Sequence, residues 1–254
     1  MKPSCICSFA TNTCIYDMKL FLLSLAYSNP QTIVVLFVDN DVKHMIDSLG
    51  NINLRLTVLS NLNEYSNKNR KQMEREGIWA KFQMIKSIIM EYCLNIYPDT
   101  LFLDSDVFVI NELSIPESCE LALSPHYIRK SETDLYGYYN GGCVWTNNKE
   151  MPAIWRKYTE TSRFYDQASL EDCARVFTTK EFGNNYNISW WRVSPGETSD
   201  TLKSELTFDK DNIYFRGNPV IFVHTHFSDK SEFNVMIRNL LFRSDAKKIM
   251  LTFF

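Results

Sequence analysis

No apolar run near the N-terminus of this 254-residue chain is long enough to cross a bilayer. The longest aliphatic stretch there, Leu20 to Ala26, falls far short of the roughly twenty residues a membrane helix needs, and Asp17 and Lys19 stand just before it. It reads as a buried helix. Signal-peptide character is missing too: Ser4, Thr11, Asn12, Thr13 and Asp17 interrupt any apolar core behind Lys2, and no cleavage context follows. The expectation is a soluble, cytoplasmic protein without a transmembrane segment. The chain also lacks Pro/Gly/Ser-rich linkers, composition shifts and internal repeats, which argues for one domain over residues 1–254. Its basic residues form no run, and 27 Lys and Arg against 30 Asp and Glu leave a net charge of −3, so nucleic acid is not an expected partner. Paired CxxC spacing is absent among the seven cysteines, Cys5, Cys7, Cys14, Cys93, Cys119, Cys143 and Cys173, which speaks against a structural zinc site and for reduced, buried thiols. Cys5 and Cys7, at alternate positions of a strand, point to one face, as core residues or with a redox or metal role.

What is present is an α/β pattern. Ser4 to Ala10 and Thr32 to Val38 are short segments rich in β-branched residues, and Asp17 to Tyr27 between them has helical spacing. A helix near Asp41 to Leu49 and a strand near Leu54 to Leu59 extend the unit, and the polar stretch from Asn61 to Glu76 reads as a mobile loop. Phe82, Ile85, Ile89 and Tyr92 recur at helical intervals, giving one amphipathic helix from Trp79 to about Asn95 that Pro98 terminates. Leu101-Phe102-Leu103 is a fully apolar strand ending in Asp104-Ser105-Asp106, with Val107 to Ile110 apolar again. The later half, from about residue 111, is less regular. Strands are expected at Glu120 to Ser124, Cys143 to Thr146 and Val220 to Phe227, and helices near Pro152 to Arg163, Gln167 to Phe177 and Glu232 to Phe242, followed by an apolar tail to Phe254.

In open α/β sheets ligands gather beyond the carboxyl ends of the strands, where Asp104 and Asp106 stand. A hard divalent cation such as Mn²⁺ or Mg²⁺ takes oxygen ligands and can bridge carboxylate to diphosphate. The competing reading is a polar turn whose Asp residues cap local backbone. Alternation along Val220 to Phe227 puts Phe222, His224 and His226 on one face, so either histidine can approach a metal held by the Asp pair.

The helix leading into LFLDSDVFV resembles the central signature of the GT-A-fold nucleotide-diphospho-sugar glycosyltransferases. Asn140-Gly141-Gly142, Asp166-Gln167 ahead of Leu170 and Phe177, and Val223-His224-Thr225-His226-Phe227 extend the resemblance. It implies a Rossmann-like GT-A domain, with a mostly parallel central mixed sheet flanked by helices. Residues to about 110 would bind the nucleotide sugar, and the remainder would supply the acceptor side and complete the metal site. The implied substrates are a nucleotide diphosphate sugar, UDP-sugar ahead of GDP-sugar, and a glycan or protein-linked sugar acceptor. The implied ion is Mn²⁺ or Mg²⁺ on Asp104, Asp106 and His224 or His226.

Phe9, Ala10, Thr11 and Thr13 would flank the base, Asp39 would bind ribose or base, and Lys81 would face the donor. Ser105 would sit at the donor, with Asn140, Gly141 and Gly142 in a loop against its sugar and Asp166 and Gln167 on sugar hydroxyls. His224 and Lys230 match an H-x-x-G-x-x-K signature in which Phe227 occupies the glycine position, with Lys230 toward the diphosphate. Leu170-Glu171-Asp172 is similar to a segment that supplies the base of inverting members, here Asp172, whereas the Asp166-Gln167 pair and the His224 to Lys230 spacing favour retention, with Asp166 orienting the sugar. Two other readings stand beside this one. LFLDSDVF also fits a haloacid-dehalogenase-type phosphatase, although no later acidic doublet completes its metal site. Trp79, Trp145, Trp155, Trp190 and Trp191 fit a non-catalytic sugar-nucleotide or glycan binding module.

Overall fold

Alternation on the first strand sorts the chain into two cores. In the computed structural model, which describes residues 1–128, 130–193, 205–209, 212–227 and 231–241, β1 (Ile6–Ala10) sends Ile6 and Ala10 to one face and Cys7 and Phe9, with Cys5 just before, to the other. Strand β2 (Ile33–Val38) repeats the division, with Val34, Leu36 and Val38 opposite Val35 and Phe37. Both faces are apolar because both are covered, as parallel sheets require. Helices α1 (Ile15–Ser28) and α2 (Asn40–Ser48) cover the first face through Phe21, Leu22, Leu25, Val42 and Ile46. Full burial of each such side chain contributes roughly 1.5–3 kcal/mol.

Strand β3 (Arg55–Ser60) completes the parallel start. The stretch expected as a mobile loop instead contains α3 (Arg70–Arg75), nucleated by a capping box in which Asn69 and Gln72 exchange side-chain and backbone bonds. Its buried anchor is Met73, the one residue of this helix set in the core. The single helix expected from Trp79 is also divided, into α4 (Trp79–Gln83) and α5 (Ile85–Leu94), at Met84. The division lets Phe82 turn toward Phe9 and Tyr65 while Ile85, Ile89 and Cys93 enter the second core. Periodicity alone does not register such a change of facing.

Strand β4 (Thr100–Leu103) pairs parallel with β1. The apolar residues after the acidic pair do not prolong it; they form β5 (Val107–Val109), which leaves the main sheet. Then come β6 (Leu121–Pro125), α6 (Lys130–Tyr136), β7 (Tyr139–Thr146), α7 (Met151–Thr159), α8 (Tyr165–Ala168), α9 (Leu170–Val176) and β8 (Thr179–Glu181). The seven-stranded sheet has the order β3-β2-β1-β4-β7-β6-β8, and only β7 runs against the others. A three-stranded sheet of β9 (Leu206–Phe208), β10 (Ile213–Phe215) and β11 (Asn218–Pro219) follows, then β12 (Phe222–His224) and α10 (Glu232–Leu241). Phe108, Val223, Phe227, Phe233 and Ile237 gather there in a third apolar cluster. Lys230, Phe242 and the tail to Phe254 lie outside the described residues. Among the described residues no helix is long and apolar enough to cross a membrane.

Candidate metal centre and donor cleft

The buried strand β4 delivers Asp104 to the carboxyl edge of the sheet, where the Asp104 N–H donates to the Gly142 carbonyl at 3.0 Å. Three residues later the chain enters β5, whose antiparallel register with β12 sets Val107 opposite His224. The Thr225 N–H donates to the Asp106 carbonyl at 2.8 Å, closing that register. Pairing so near the acidic turn forces the imidazole beside the carboxylates. One ligand atom from each of Asp104, Asp106 and His224 lies within 4.8 Å of the other two. His224 Nε2 is 3.1 Å from Asp106 Oδ1 and 3.8 Å from Asp104 Oδ2. Its Nδ1 is 2.9 Å from Asn187 Oδ1, and Asn187 donates in turn to Ser124 Oγ at 3.1 Å. An amide oxygen accepts from Nδ1, so Nε2 is the ring nitrogen left to face the carboxylates and the one that a neutral ring would offer to a metal. Two carboxylates and one imidazole suit Mn²⁺ or Mg²⁺ better than a soft ion.

His226 stands beyond the end of β12, not on the expected longer strand. Its Nε2 is 3.5 Å from Asp106 Oδ2 and its Nδ1 2.9 Å from Asp17 Oδ2, so it borders the three-residue cluster from outside. Burial raises the Asp104 pKa, and Asp106 beside it adds to the effect. Partial burial works against the charge of Asp106, yet His224 and then His226 hold its carboxyl well below the usual carboxylate range.

A cation that sequence reasoning missed forms the inner wall. Lys86, on α5, is buried, with Nζ 3.2 Å from Asp104 Oδ1, 3.0 Å from Asp166 Oδ2 and donating to the Gly141 carbonyl at 3.2 Å. Burial opposes its charge, but Asp104 and Asp166 more than offset that and raise its pKa above the ordinary lysine value. Lys81, the residue expected to face the donor, has a largely exposed side chain paired with Glu64 at 3.8 Å. Lys86 shares the buried side of α5 with Ile85, Ile89, Met90 and Cys93. A lysine on the apolar face of its own helix was the available signal.

Asn140, Gly141 and Gly142 are strand residues within β7, not a loop. Their glycines are explained by space: a Cβ on Gly141 would strike the Asp166 carboxylate, and one on Gly142 would strike the His224 ring and Asp104. Asn140 Oδ1 accepts from the Gly142 N–H at 2.9 Å, and its Nδ2 approaches Gln167 Oε1 at 3.5 Å. Asp166 is swung inward by Tyr165, whose left-handed φ of 38° is costly for a non-glycine residue. The helix expected over Gln167 to Phe177 is two short ones, α8 and α9.

A cleft of about 530 Å³ opens on the other side of the acidic pair. Phe9, Ala10, Thr11, Thr13, Asp104, Ser105, Asp106 and His226 line it, joined by Asp17, Met73, Trp79, Phe82 and Gln83 and rimmed by Lys68, Asn69 and Arg70. Asp39 is not among them. It caps α2 through the Val42 N–H at 3.0 Å and accepts from the Asn12 N–H and Ser66 Oγ at 2.8 and 2.7 Å, so its oxygens are occupied by backbone and loop. Asp172 projects from α9 to Arg175 at 2.6 Å, half-exposed, away from Asp104 and Lys86. Trp145 and Trp155 are fully buried and bond Asp99 and the Asp166 carbonyl, which makes them core residues, whereas Trp79 lines the cleft and Trp191 packs edge-on against His224.

No family model and no curated protein sequence matches the chain. Among solved structures it is similar to the galactosyltransferase LgtC, determined in complex with donor and acceptor sugar analogues, with 14% identity and a TM-score of 0.53 over 93% of this chain and 94% of that one. It is also similar to the glycosyltransferase GlyE of Streptococcus pneumoniae, with 14% identity and a TM-score of 0.59 over 99% of this chain. The chain spans 63% of the GlyE chain's length. These neighbours are GT-A-type glycosyltransferases; the chain has their fold and carries a DxD-like pair, Asp104 and Asp106.

Proposed function

We propose that this chain is a metal-dependent glycosyltransferase that moves a sugar from a nucleotide diphosphate donor, UDP-sugar ahead of GDP-sugar, to a hydroxyl of a glycan or protein-linked sugar. The observation that carries the reading is the convergence of Asp104, Asp106 and His224, whose Nδ1 is held by Asn187, beside a cleft that Asp104 and Asp106 line and whose volume suits a nucleotide sugar. Bound there, Mn²⁺ or Mg²⁺ supplies positive charge that offsets the diphosphate as it leaves.

The protein's own residues divide the remaining work. Phe9, Phe82 and Trp79 offer aromatic surface to the base, and Thr11 and Thr13 offer hydroxyls beside it. The missing side chains of Gly141 and Gly142 let Asp166, His224 and Asp104 close in on one another beside the sugar. Asp166 and Gln167 receive sugar hydroxyls, with Asp166 held in register by Lys86. Retention at the anomeric carbon is favoured: Asp172, the base an inverting route would use, is engaged by Arg175. Lys230, at the end of the H-x-x-G-x-x-K spacing, remains the candidate diphosphate contact.

Incubation with UDP- and GDP-sugars and Mn²⁺, without acceptor, is expected to release nucleotide diphosphate slowly. EDTA or Asp106→Ala is expected to remove at least about 100-fold of that rate, the scale on which ligand loss disables a metal site. Undiminished turnover in EDTA would overturn the reading, and a first-formed anomer of opposite configuration would overturn the retaining assignment.

A further inference from the structure

We infer that Asp17 and His226 form an outer support for the metal centre: Asp17 fixes the His226 ring, and the ring fixes the Asp106 carboxylate so that its other oxygen faces His224. The inference rests on the metal reading above. Asp17 sits in the first turn of α1 with only 7% of its surface exposed, and a buried carboxylate is costly unless it is hydrogen-bonded. It finds two partners in the stretch just after β12, 209 residues away: His226 Nδ1 at 2.9 Å and the backbone N–H of Phe227. Asn234 of α10 braces the same stretch by donating to the His226 carbonyl at 2.7 Å.

The far nitrogen of the ring gives this pairing a direction. His226 Nε2 lies 3.5 Å from Asp106 Oδ2, while His224 Nε2 lies 3.1 Å from Oδ1, so the two oxygens of Asp106 are addressed separately from opposite sides. An imidazole anchored through Nδ1 to a buried acid has lost its freedom to rotate and presents Nε2 at one place. An ordinary surface Asp–His pair would leave the acid solvated and the far nitrogen in water. Here the acid is buried and the far nitrogen meets a candidate ligand. Asp17 is therefore a positioning residue, acting through His226, and it ties the first turn of α1 to the segment that follows His224.

Mn²⁺ titration of the full chain without nucleotide, followed by the EPR signal of the free ion, tests this directly. Asp17→Asn and His226→Gln are each expected to weaken Mn²⁺ binding about 10- to 100-fold, the usual effect of losing an outer partner of a metal ligand. The nitrogen modulation of bound Mn²⁺ is expected to report one imidazole, retained in His226→Gln and lost in His224→Ala. Unchanged Mn²⁺ affinity in both support variants, or loss of the imidazole signal in His226→Gln, would overturn the proposal while leaving the metal reading intact. Wild-type protein that takes up no Mn²⁺ would overturn both. His226→Gln, on a half-exposed ring, carries the same test if Asp17→Asn does not fold.

Discussion

The two sides of the acidic pair, the inner wall behind it and the rim of the cleft before it, are built on opposite electrostatic plans. On the inner wall one buried lysine lies between Asp104 and Asp166, and the surrounding positions, Asn140, Gly141 and Gly142, are packed so closely that a single added methyl collides. On the outer rim the charges are paired in solvent: Lys68 with Glu76 at 2.8 Å and Arg70 with Glu74 at 2.7 Å. Exposed pairs of this kind contribute on the order of 0–1 kcal/mol, whereas stripping one partner from a buried group costs several times more. The inner wall is thus fixed before a ligand arrives. The rim is free to exchange protein partners for those of a ligand.

The largest effect is expected from Lys86→Met, which preserves the aliphatic stem and removes the charge. It leaves Asp104 and Asp166 facing each other in a poorly solvated site, at a cost of about 3–5 kcal/mol. A denaturant series on the metal-free protein measures it. A loss under about 1 kcal/mol would show the inner wall to be as well solvated as the rim, and the contrast would fail.

Dryness next to the inner wall makes a second, smaller prediction. His126 is buried and meets Trp191 edge-on, and Trp191 also packs edge-on against His224. Burial lowers its pKa from 6.5 to about 4. The unfolded chain therefore takes up a proton first as pH falls. The stabilisation is fully present above pH 6.5 and is lost as pH falls through about 4. The gap corresponds to on the order of 3 kcal/mol. Melting curves of wild type and His126→Gln between pH 7 and 4, in EDTA, are expected to converge as the acid limit is approached. Parallel curves would place His126 in water.

How much of this was legible beforehand follows the same division. The strand-end acidic pair, the alternation of His224 and the first βαβ unit could be read because each is a local pattern set by one strand or helix. Lys86 was only half legible: its place between Phe82 and Ile89 sets it on the apolar stripe, but the partners that keep it charged there, Asp104 and Asp166, come from other elements. For Asp39 the sequence shows an acid after a strand but not its surroundings: the Val42 and Asn12 N–H groups and the Ser66 hydroxyl donate to it, partners set by the meeting of three separate segments. Gly141 and Gly142 suggested a turn, while the cause of their glycines is the crowding of side chains delivered from other elements.

The rim yields the smallest effect and the finest test of the contrast. Arg70 lies on the first turn of α3, bonded to Glu74 and 5.3 Å from the centre of the Trp79 ring, and it borders the cleft beside Lys68. Its guanidinium is well exposed, so its partners compete with water and salt, and removing it leaves no buried charge unpaired. Arg70→Ala is therefore expected to leave the melting temperature nearly unchanged, to raise the KM for a nucleotide sugar about two- to fivefold, and to leave kcat alone. Because the contact is exposed, the difference between variant and wild type is expected to shrink as NaCl is raised from 0.05 to about 0.5 M, where the Debye length falls well below 10 Å. Steady-state donor hydrolysis at the two salt concentrations measures this. A KM difference that survives high salt, or a fall in kcat, would mean that Arg70 makes a desolvated contact in the complex. The rim would then belong energetically with the inner wall.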